Sequence, residues 1–593
     1  MSPPATSITS DPTHVLDRSF DYVIAGGGLT GLTVASRLTE DKNITVLVIE
    51  NGKDSRNDTR IYDVRTFGEP FESDDLDYKL STTPVPWQDN KGLHMTAGKT
   101  LGGSGSFNGA SWTKGPKTQY DILPDLTGDD SWGWEQFNKH MLRAEHFNPP
   151  SADLKALGAE YEPESHGEDG KVQVSFAQGM FRDAQLPALS ASQKVWTGLE
   201  RIADVASGVV NGVTTIPDML LPDSGQNRSS PLTAYLEGEP ETRKNLLILT
   251  GHRVTRILWK GENGNLTADG VELQASRNSS RIAVHAEREV LLAAGALQSP
   301  QILELSGVGD PAVLEKAGIS VRKNLPGVGK NLQEQTKNTV TFKLKNAKFE
   351  GSGPASAIAY PNVHQILKDQ SPAMLDHTTQ GLSEYASKLA AAGKVAFASG
   401  ALEILQKQVH NLFNQSEAAA EIFFSPDPDS GTVGADAWNL IPLARGTVHV
   451  KTSDSFDEPE IDPSYFSHPL DIALQTAATM QLREVFATEP LASLIAAETT
   501  PGTNKVAVGA EKDVWEQWVK RTFTSVWHPI ATLSMMREEL GGVVNSKLRV
   551  YGIERLRVID ASVLPIQLSA HLSSSLYGVA EKAAAMIKED QRD

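Results

Sequence analysis

Three glycines near the start of the chain, Gly26, Gly28 and Gly31, have the spacing G-x-G-x-x-G, and Glu50 follows 19 residues after the last of them. The chemistry that suits this pattern is the binding of a dinucleotide. Gly26 permits a tight turn, Gly28 lets a pyrophosphate approach the backbone, and Gly31 lets a helix pack closely on a strand. Glu50 is placed to bind a ribose 2′-hydroxyl. Structural turns also produce three such glycines, so the interpretation depends on the elements around them.

Those elements have the periodicity of a βαβ unit. An apolar strand is predicted at residues 22–25, before the first glycine. The residues after it, Leu29, Leu32, Ala35 and Leu38, recur at helical spacing, and a second apolar strand ends at Glu50. The start of such a helix faces the phosphate charge. In this setting the sequence favours dinucleotide binding over a structural turn.

Length and composition exclude several classes of protein. At 593 residues the chain is too long for one core, and we expect two domains. No apolar run approaches the roughly 18 to 20 residues that cross a bilayer, so we expect a soluble protein without a membrane partner. The net charge of -19 disfavours binding to nucleic acid. Without cysteine there are no disulfides, thiolate metal sites or cysteine nucleophiles, and we predict no metal site.

A second glycine-rich stretch, GKTLGGSGSFNG at residues 98–109, offers little to a hydrophobic core. The polar residues 53–97 before it do not continue the βαβ alternation of an ordinary NAD domain. Further strands of this domain are predicted at residues 245–259, 271–275, 288–296 and 556–565, and the stretches between mix amphipathic helices with strands such as AEIFFSP and GTVHVKT of the other domain. The nucleotide-binding domain is therefore predicted to be assembled from separated segments.

Three long motifs carry a resemblance to the glucose-methanol-choline (GMC) oxidoreductases. Residues 98–121, GKTLGGSGSFNGASWTKGPKTQYD, resemble the first signature of the family, and residues 295–309, GALQSPQILELSGVG, fit the second. The sequences WHPIATLSMM and RVIDASVLPIQLSAHLSSSLYGVAEKAAAMI resemble its C-terminal catalytic block. The chain is identified as a member from about residue 20 to 587, most similar to the group of fungal glucose oxidases, FAD glucose dehydrogenases and aryl-alcohol oxidases.

The resemblance implies an α/β protein (α+β overall), with a Rossmann-like FAD-binding domain and an interleaved substrate domain built on an antiparallel sheet with helices. The FAD-binding domain is expected at residues 15–75, 85–125, 235–335 and 530–593. The substrate domain is expected at residues 126–234 and 336–529.

The resemblance also implies FAD as the cofactor, with the second glycine-rich stretch along the flavin and its ribityl-pyrophosphate tail, where bulky side chains would collide. Besides Gly26, Gly28, Gly31 and Glu50, the implied FAD contacts are Gly98, Gly102, Gly103, Ser106, Asn108, Gly109, Val254, Asp560, Ala561, His571 and Leu572. Phe107 stands where some relatives carry a histidine covalently bonded to the flavin. Phenylalanine cannot form that bond, so we expect non-covalent FAD.

Oxidation of an alcohol requires a base for the hydroxyl proton and an acceptor for the hydride, which is the flavin. Histidine is the simplest base near neutral pH. His528 lies at the catalytic position that the resemblance implies, and His571 at the second active-site position, before a predicted helix whose start can face the reduced flavin. Glu421 resembles the carboxylate that holds the second histidine; the alternative is an ordinary charge on an edge strand.

The substrate is expected to be an alcohol group of a carbohydrate, a glucose unit or an oligosaccharide. Glucose-specific relatives carry Arg and Asn at the positions of Thr524 and Val526, so we expect a substrate pocket that differs from theirs. Four aromatic residues are placed to stack on a sugar or an aryl alcohol, or are plain core residues: Phe423, Phe424, Trp438 and Trp527. The alternatives are an aryl-alcohol oxidase or dehydrogenase and, third, a non-redox lyase or cyclase that retains FAD.

The acceptor of the electrons is expected to be a quinone or oxygen, with a dehydrogenase preferred over an oxidase from overall likeness, and the protein is expected to be a monomer. The N-terminus lacks the features of a signal peptide. Sequons for N-glycosylation nevertheless occur at Asn43, Asn57, Asn227, Asn265, Asn278 and Asn414. We therefore expect a secreted, fungal-type glycoprotein whose signal is replaced by Met1, with a cytoplasmic protein as the alternative.

Overall fold

The structure is a computed structural model that describes residues 7–178, 184–222, 227–238, 242–261, 266–346, 354–427 and 430–591. The strands within these residues are β1 Ile8–Thr9, β2 Ser19–Ala25, β3 Val46–Ile49, β4 Leu80–Ser81, β5 His94–Met95, β6 Glu145–Asn148, β7 Val172–Ser175, β8 Val213–Thr215, β9 Leu246–Leu249, β10 Arg253–Lys260, β11 Leu266–Gln274, β12 Ile282–Leu292, β13 Val308–Gly309, β14 Lys323–Asn324, β15 Lys330–Leu332, β16 Thr336–Leu344, β17 Ala357–Ala359, β18 Ala420–Asp427, β19 Thr432–Asn439, β20 Gly446–His449, β21 Glu460–Asp462, β22 Ile495–Thr500, β23 Thr524–Ser525, β24 Ile553–Glu554 and β25 Leu556–Val558.

The α-helices of the same residues lie between and after these strands. They are α1 Leu29–Leu38, α2 Thr59–Tyr62, α3 Lys117–Tyr120, α4 Leu123–Thr127, α5 Trp134–Ala144, α6 Ala152–Ala156, α7 Gln185–Val195, α8 Pro231–Tyr235, α9 Ser299–Leu305, α10 Pro311–Lys316, α11 Val363–Leu367, α12 Ser371–Ala391, α13 Ala398–Asn414, α14 Pro469–Phe486, α15 Lys512–Thr522 and α16 Ser573–Asp590. Among the helices described, none is both long and apolar enough to cross a bilayer.

The larger of the two main sheets has the strand order β1-β9-β3-β2-β12-β11-β10, with β24 and β25 beside β11 and β12. Its strands run parallel from β1 to β12 and antiparallel from β12 to β10. All residues of β3 and β9 are buried, because layers of chain cover both faces of the parallel part. This explains their uninterrupted apolar sequences, VLVI and LLIL.

The second main sheet has the order β22-β16-β19-β18-β17-β8, and β23 pairs with β16. All of its pairs are antiparallel. The core of this part is a cluster that joins α14 and α13 to the buried side chains of β18 and β19. The α/β fold expected from the resemblance is confirmed.

The two-domain division remains a proposal, and the packing of α5 suggests one change to it. We expected α5 in the substrate domain. Its residues Phe137 and Met141, however, belong to the apolar cluster of the larger sheet, together with Val579 and Ala583 of α16. We therefore propose that α5 belongs to the FAD-binding domain, where it supports the helix that follows His571.

Candidate active site

A long cavity opens at the carboxyl ends of three parallel strands. Gly26 follows β2, Glu50 follows β3 and Ala293 follows β12, and all three line the cavity, which extends as far as His528 and His571. Its empty space is about 1620 Å³, part of it open solvent, and its lining runs from the glycine motif at Gly26 to the two histidines. This edge of an open α/β sheet is where ligands bind. The cavity therefore suits a large, extended ligand.

The three glycines of the first motif have different surroundings. A Cβ on Gly26 (φ +111°) would lie 2.4 Å from the Ala293 carbonyl oxygen, and one on Gly31 would lie 2.1 Å from the Gly26 carbonyl oxygen. A Cβ on Gly28 would meet no atom closer than 4.0 Å, and Gly28 lines the cavity. Gly28 also begins α1 without a side-chain cap, which leaves helix N–H groups for an anion. Gly26 and Gly31 thus serve chain packing, and Gly28 leaves room for a ligand; Gly31 is not on the cavity wall.

Glu50 is buried on the cavity wall and is already hydrogen-bonded to the backbone. Its Oε2 accepts from the N–H of Gly27 at 2.9 Å, and its Oε1 accepts from the N–H of Gly52 at 2.6 Å. Burial raises the pKa of Glu50 to about 7. The residue is thus fixed in place, and each carboxylate oxygen keeps a second lone pair that can accept from a further donor.

The second glycine-rich stretch is only partly a wall of the cavity. Gly98, Gly103, Asn108 and Gly109 line it, whereas Gly102 and Ser106 do not. The backbone of Gly102 has φ +89°. The Ser106 hydroxyl is buried and donates to the Leu101 carbonyl oxygen at 3.0 Å. Gly102 and Ser106 thus help to form the turn, and their contact with the cofactor stays a prediction.

The remaining implied cofactor residues, Val254, Asp560, Ala561, His571 and Leu572, all line the cavity. Asp560 accepts from the N–H of Gly295 at 2.9 Å and so ties the end of β12 to the C-terminal segment. Burial raises the pKa of Asp560. Phe107 is buried in an apolar cluster with Ile61 and Leu76. It presents no atom that could bond covalently to a flavin.

His528 and His571 lie together at one end of the cavity, with ring centroids 5.8 Å apart and ring planes nearly perpendicular. They come from different elements. His528 follows β23. His571 lies two residues before the start of α16, and its backbone N–H donates to Thr113 Oγ1 at 2.8 Å. The fold thus brings together two imidazoles that lie 43 residues apart in the chain.

Gln335 determines which nitrogen of His528 carries the proton. The Gln335 amide nitrogen donates to the carbonyl oxygens of Leu440 at 2.9 Å and Leu568 at 3.4 Å, so its Oε1 faces the imidazole. That oxygen lies 2.8 Å from His528 Nδ1 and can only accept. His528 Nδ1 is therefore protonated, and Nε2 keeps its lone pair. Burial, with contributions from His571 and Lys337, lowers the pKa of His528 to about 3. The imidazole is a neutral base at ordinary pH.

Glu334 holds the backbone of the same histidine. Its Oε1 accepts from the N–H of His528 at 3.0 Å, and burial raises the pKa of Glu334 to about 8. The preceding residue, Trp527, has φ +66°, a conformation that is uncommon outside glycine. Its N–H donates to Ser525 Oγ at 3.0 Å, and its indole N–H to the His94 carbonyl oxygen at 3.0 Å. These bonds stabilise the turn that presents His528.

His571 is held by a carboxylate instead of an amide. Its Nε2 lies 2.9 Å from Oε1 of Glu421, which is fully buried in β18. Because the carboxylate accepts, Nε2 carries the proton and Nδ1 keeps the lone pair. The contact that the resemblance implied between Glu421 and His571 is thus present. The N-terminus of α16 lies directly behind this histidine.

The residues expected at the substrate are not all at the cavity. Trp527 lines it. Phe423 and Trp438 stack at 5.9 Å beside the histidines, and Trp438 lies 5.1 Å from His571 and 5.9 Å from His528. Thr524 is exposed and Val526 is buried, and neither these two residues nor Phe423 and Trp438 are among those that line the cavity.

Two further points correct the sequence reading of the site. Phe424 is a core residue packed against Phe486. Sequence reasoning missed Glu334 and Gln335 altogether. The only signal in the sequence was the polar run before β16, which does not indicate burial.

Comparisons with known proteins identify the family. Models described as GMC oxidoreductase match residues 20–337 and 442–580. Glucose oxidase 2 of Penicillium expansum is 37% identical over 588 residues, which span 99% of this chain and 95% of that protein. The solved structure of an FAD-dependent oxidoreductase from Chaetomium thermophilum has a TM-score of 0.87 at 27% identity, covering 97% of this chain and 100% of the other. A fungal aryl-alcohol oxidase structure has a TM-score of 0.86 at 28% identity, covering 98% and 100%.

The chain belongs to the GMC oxidoreductase family, and it is an FAD-dependent oxidoreductase that acts on alcohols. The residues of the cavity fit FAD. Gly28 and Gly295 both line it, and no atom would lie within 4 Å of a Cβ on Gly295 (φ +84°), so two stretches of bare backbone are open to a ligand. The cofactor is FAD, and Phe107 provides no covalent link to it.

Proposed function

We propose that this protein oxidises an alcohol group of a carbohydrate, either a glucose unit or an oligosaccharide. The observation that carries the proposal is a neutral histidine, His528, on the wall of the cavity with its Nε2 lone pair unprotonated. A base in this state accepts the proton of a substrate hydroxyl without first losing one of its own. When bound, FAD supplies the acceptor for the hydride of the carbon that bears this hydroxyl.

The other residues of the site position the groups that react. Gln335 keeps His528 in the required tautomer, and Glu334 keeps its backbone in place. His571, oriented by Glu421, presents Nδ1 as an acceptor, so we infer that it holds the substrate hydroxyl beside His528. The N-terminal end of α16 contributes a partial positive charge near the reduced cofactor.

The carbohydrate substrate is supported by the 37% identity to a glucose oxidase and by the stacked pair Phe423 and Trp438. The alternative is an aryl alcohol, which the structural likeness to an aryl-alcohol oxidase favours. A non-redox lyase or cyclase is a third hypothesis. It does not explain why a neutral base is paired with a second histidine.

For the electron acceptor we propose a quinone or oxygen. Our preference for a dehydrogenase rests on the sequence alone, and the oxidase names of similar proteins support oxygen instead. Anaerobic reduction of the flavin by glucose, glucose disaccharides and benzyl-type alcohols, followed by air or a quinone, tests all of these points. Reduction by sugars supports the proposal, reduction by aryl alcohols alone supports the alternative, and no reduction by any alcohol supports the non-redox hypothesis. The rates of reoxidation identify the acceptor.

We also propose that the protein is a secreted monomer. Asn43, Asn57, Asn278 and Asn414 are exposed, and Asn227 is half-buried, so these sequons are accessible to glycosylation. Asn265 lies outside the described residues. A fall in mass on treatment of the natively produced protein with a glycosidase, with recovery from the medium, would support secretion. Light scattering measures the oligomeric state.

A further inference from the structure

A row of four side chains crosses the second sheet from the active site towards solvent. Glu421 pairs in register with Trp438, Trp438 with Lys337, and Lys337 with Thr524. Residues directly opposite in antiparallel strands place their side chains on the same face. Glu421 holds His571, and Trp438 contacts both histidines, so this is the face towards the active site.

Exposure increases along this row. The Glu421 side chain is fully buried, Trp438 is 8% exposed, the Lys337 side chain is 25% exposed, and Thr524 is exposed. The row therefore marks the direction in which the sheet surface passes from the histidines to solvent. A substrate that reaches His528 along this face would contact Lys337 and Trp438.

Lys337 is held in place and, among the described residues, Asp436 is the one hydrogen-bond partner of its ammonium. Its Nζ lies 2.7 Å from Asp436 Oδ2, and Thr339 donates its hydroxyl proton to the other oxygen of that carboxylate. The same Nζ lies 5.8 Å from the centroid of the Trp438 ring. An ammonium has three protons, and Asp436 takes one of them. Because Asp436 neutralises the charge of Lys337, the pair suits an uncharged polar ligand better than an anion.

The indole N–H of Trp438 provides an independent observation. Within the described part of the chain this buried nitrogen has no hydrogen-bond acceptor, although the Trp438 ring lies beside both histidines. A buried donor without a partner is costly to a folded protein, so it calls for an explanation. An oxygen of a bound substrate would provide the acceptor.

We propose that Lys337, held by Asp436, and the indole N–H of Trp438 bind hydroxyl oxygens of the substrate away from the reacting carbon, and so select uncharged, polyhydroxylated alcohols. This inference rests on the proposed function and names the residues that determine its specificity. It also accounts for the sugar-binding donors that are missing at Thr524 and Val526. The donors come from β16 and β19 instead.

The test compares flavin reduction of the FAD-loaded enzyme by glucose or a glucose disaccharide with reduction by benzyl alcohol. The quantity measured is the ratio of the two specificity constants in the wild type and in Lys337→Met. Loss of a charged donor is expected to lower the sugar to benzyl alcohol ratio by about tenfold to a hundredfold, through weaker sugar binding. Lys337→Arg, which keeps a donor, should recover part of the ratio.

Lys343→Met is the matched control, because Lys343 is exposed on the same strand and pairs with Thr432 at the other end of β19, whereas Lys337 pairs with Trp438. This variant should leave the ratio unchanged. Asp436→Asn removes the neutralising charge and should favour a carboxylated benzyl alcohol over benzyl alcohol by about tenfold relative to wild type. If Lys337→Met slows both substrates equally, the role of Lys337 is structural and the inference is wrong. If aryl alcohols but no sugar reduce the flavin of the wild type, the proposed carbohydrate oxidation is wrong, and the selection of polyhydroxylated alcohols is wrong with it. This outcome is distinct from a failure of the Lys337 inference alone, in which sugars still reduce the wild type.

Should Lys337→Met lose FAD, Lys337→Gln provides the same comparison with a smaller change in shape. A ratio equal to that of the wild type in Lys337→Gln would overturn a requirement for the charged donor. A ratio reduced as in the methionine prediction would support it.

Discussion

The two histidines of the active site have the same chemistry but different partners. A neutral amide, Gln335, accepts the proton of His528 Nδ1, whereas a carboxylate, Glu421, accepts the proton of His571 Nε2. An amide does not stabilise an imidazolium, so burial keeps His528 neutral; a carboxylate stabilises positive charge beside it. The comparison teaches that the partner of each imidazole decides which nitrogen keeps the lone pair, Nε2 in His528 and Nδ1 in His571.

Removal of the base should have the largest effect. His528→Ala is expected to slow flavin reduction by on the order of 10²- to 10⁴-fold, because general-base catalysis is lost. FAD should remain bound, since the glycine motifs that line the cavity are unchanged. Stopped-flow reduction and the flavin absorbance spectrum measure the two quantities. Normal reduction by this variant would contradict the assignment of His528.

Exchange of the amide partner sharpens the comparison. Gln335→Leu should slow reduction by about tenfold to a hundredfold, because the Nδ1 proton loses its acceptor and the tautomer is no longer fixed. Gln335→Glu should give His528 the kind of partner that His571 has.

The pH profile shows whether that exchange has occurred. In the wild type the pKa of His528 is about 3, so the reduction rate should stay constant from pH 8 to pH 5 and fall only as the pH approaches 3. A carboxylate stabilises the imidazolium, and in Gln335→Glu the acid limb should move up by about 1 to 3 pH units. A variant that lowers the rate without moving the limb would show that Gln335 has only a structural role.

Replacement of the carboxylate partner of His571 by an amide is expected to slow flavin reduction less than the changes at His528 and Gln335. Glu421→Gln keeps an acceptor for His571 Nε2 but removes its charge, and reduction should slow by about tenfold. Glu417→Gln is the matched control, because Glu417 is also buried but bonds to Thr118, Gln119 and Asn411 instead of to a histidine. If the two variants are equally slow, loss of a buried charge explains both results.

The smallest effect concerns stability. Burial raises the pKa of Glu334 to about 8 in the folded protein, whereas a glutamate in the unfolded chain loses its proton near pH 4 to 5. Between these two values the folded state binds the proton and the unfolded state does not. The free energy of unfolding therefore declines as the pH rises from about 5 towards 8. Glu334→Gln cannot ionise. Its Tm relative to wild type should therefore increase between pH 5 and pH 8. A constant difference across this range would contradict the raised pKa.

Local sequence was sufficient for the parts of the molecule that backbone geometry defines. The βαβ unit, the turn at Gly26 and the open position at Gly28 follow from the types of neighbouring residues and their spacing, because one short segment contains the whole structure. The position of His571 before α16 follows from helical periodicity for the same reason. The family motifs added His528 and Glu421 as candidates.

Only the tertiary structure decided what these candidates can do. Gln335 is oriented by Leu440 and Leu568, and Lys337 reaches Trp438 across a strand pairing between distant segments. Such contacts depend on sheet register and burial, which no local pattern encodes. The sequence by itself therefore determined the family, the cofactor and the histidines, and the fold determined the tautomer of the base and the side chains that approach the substrate.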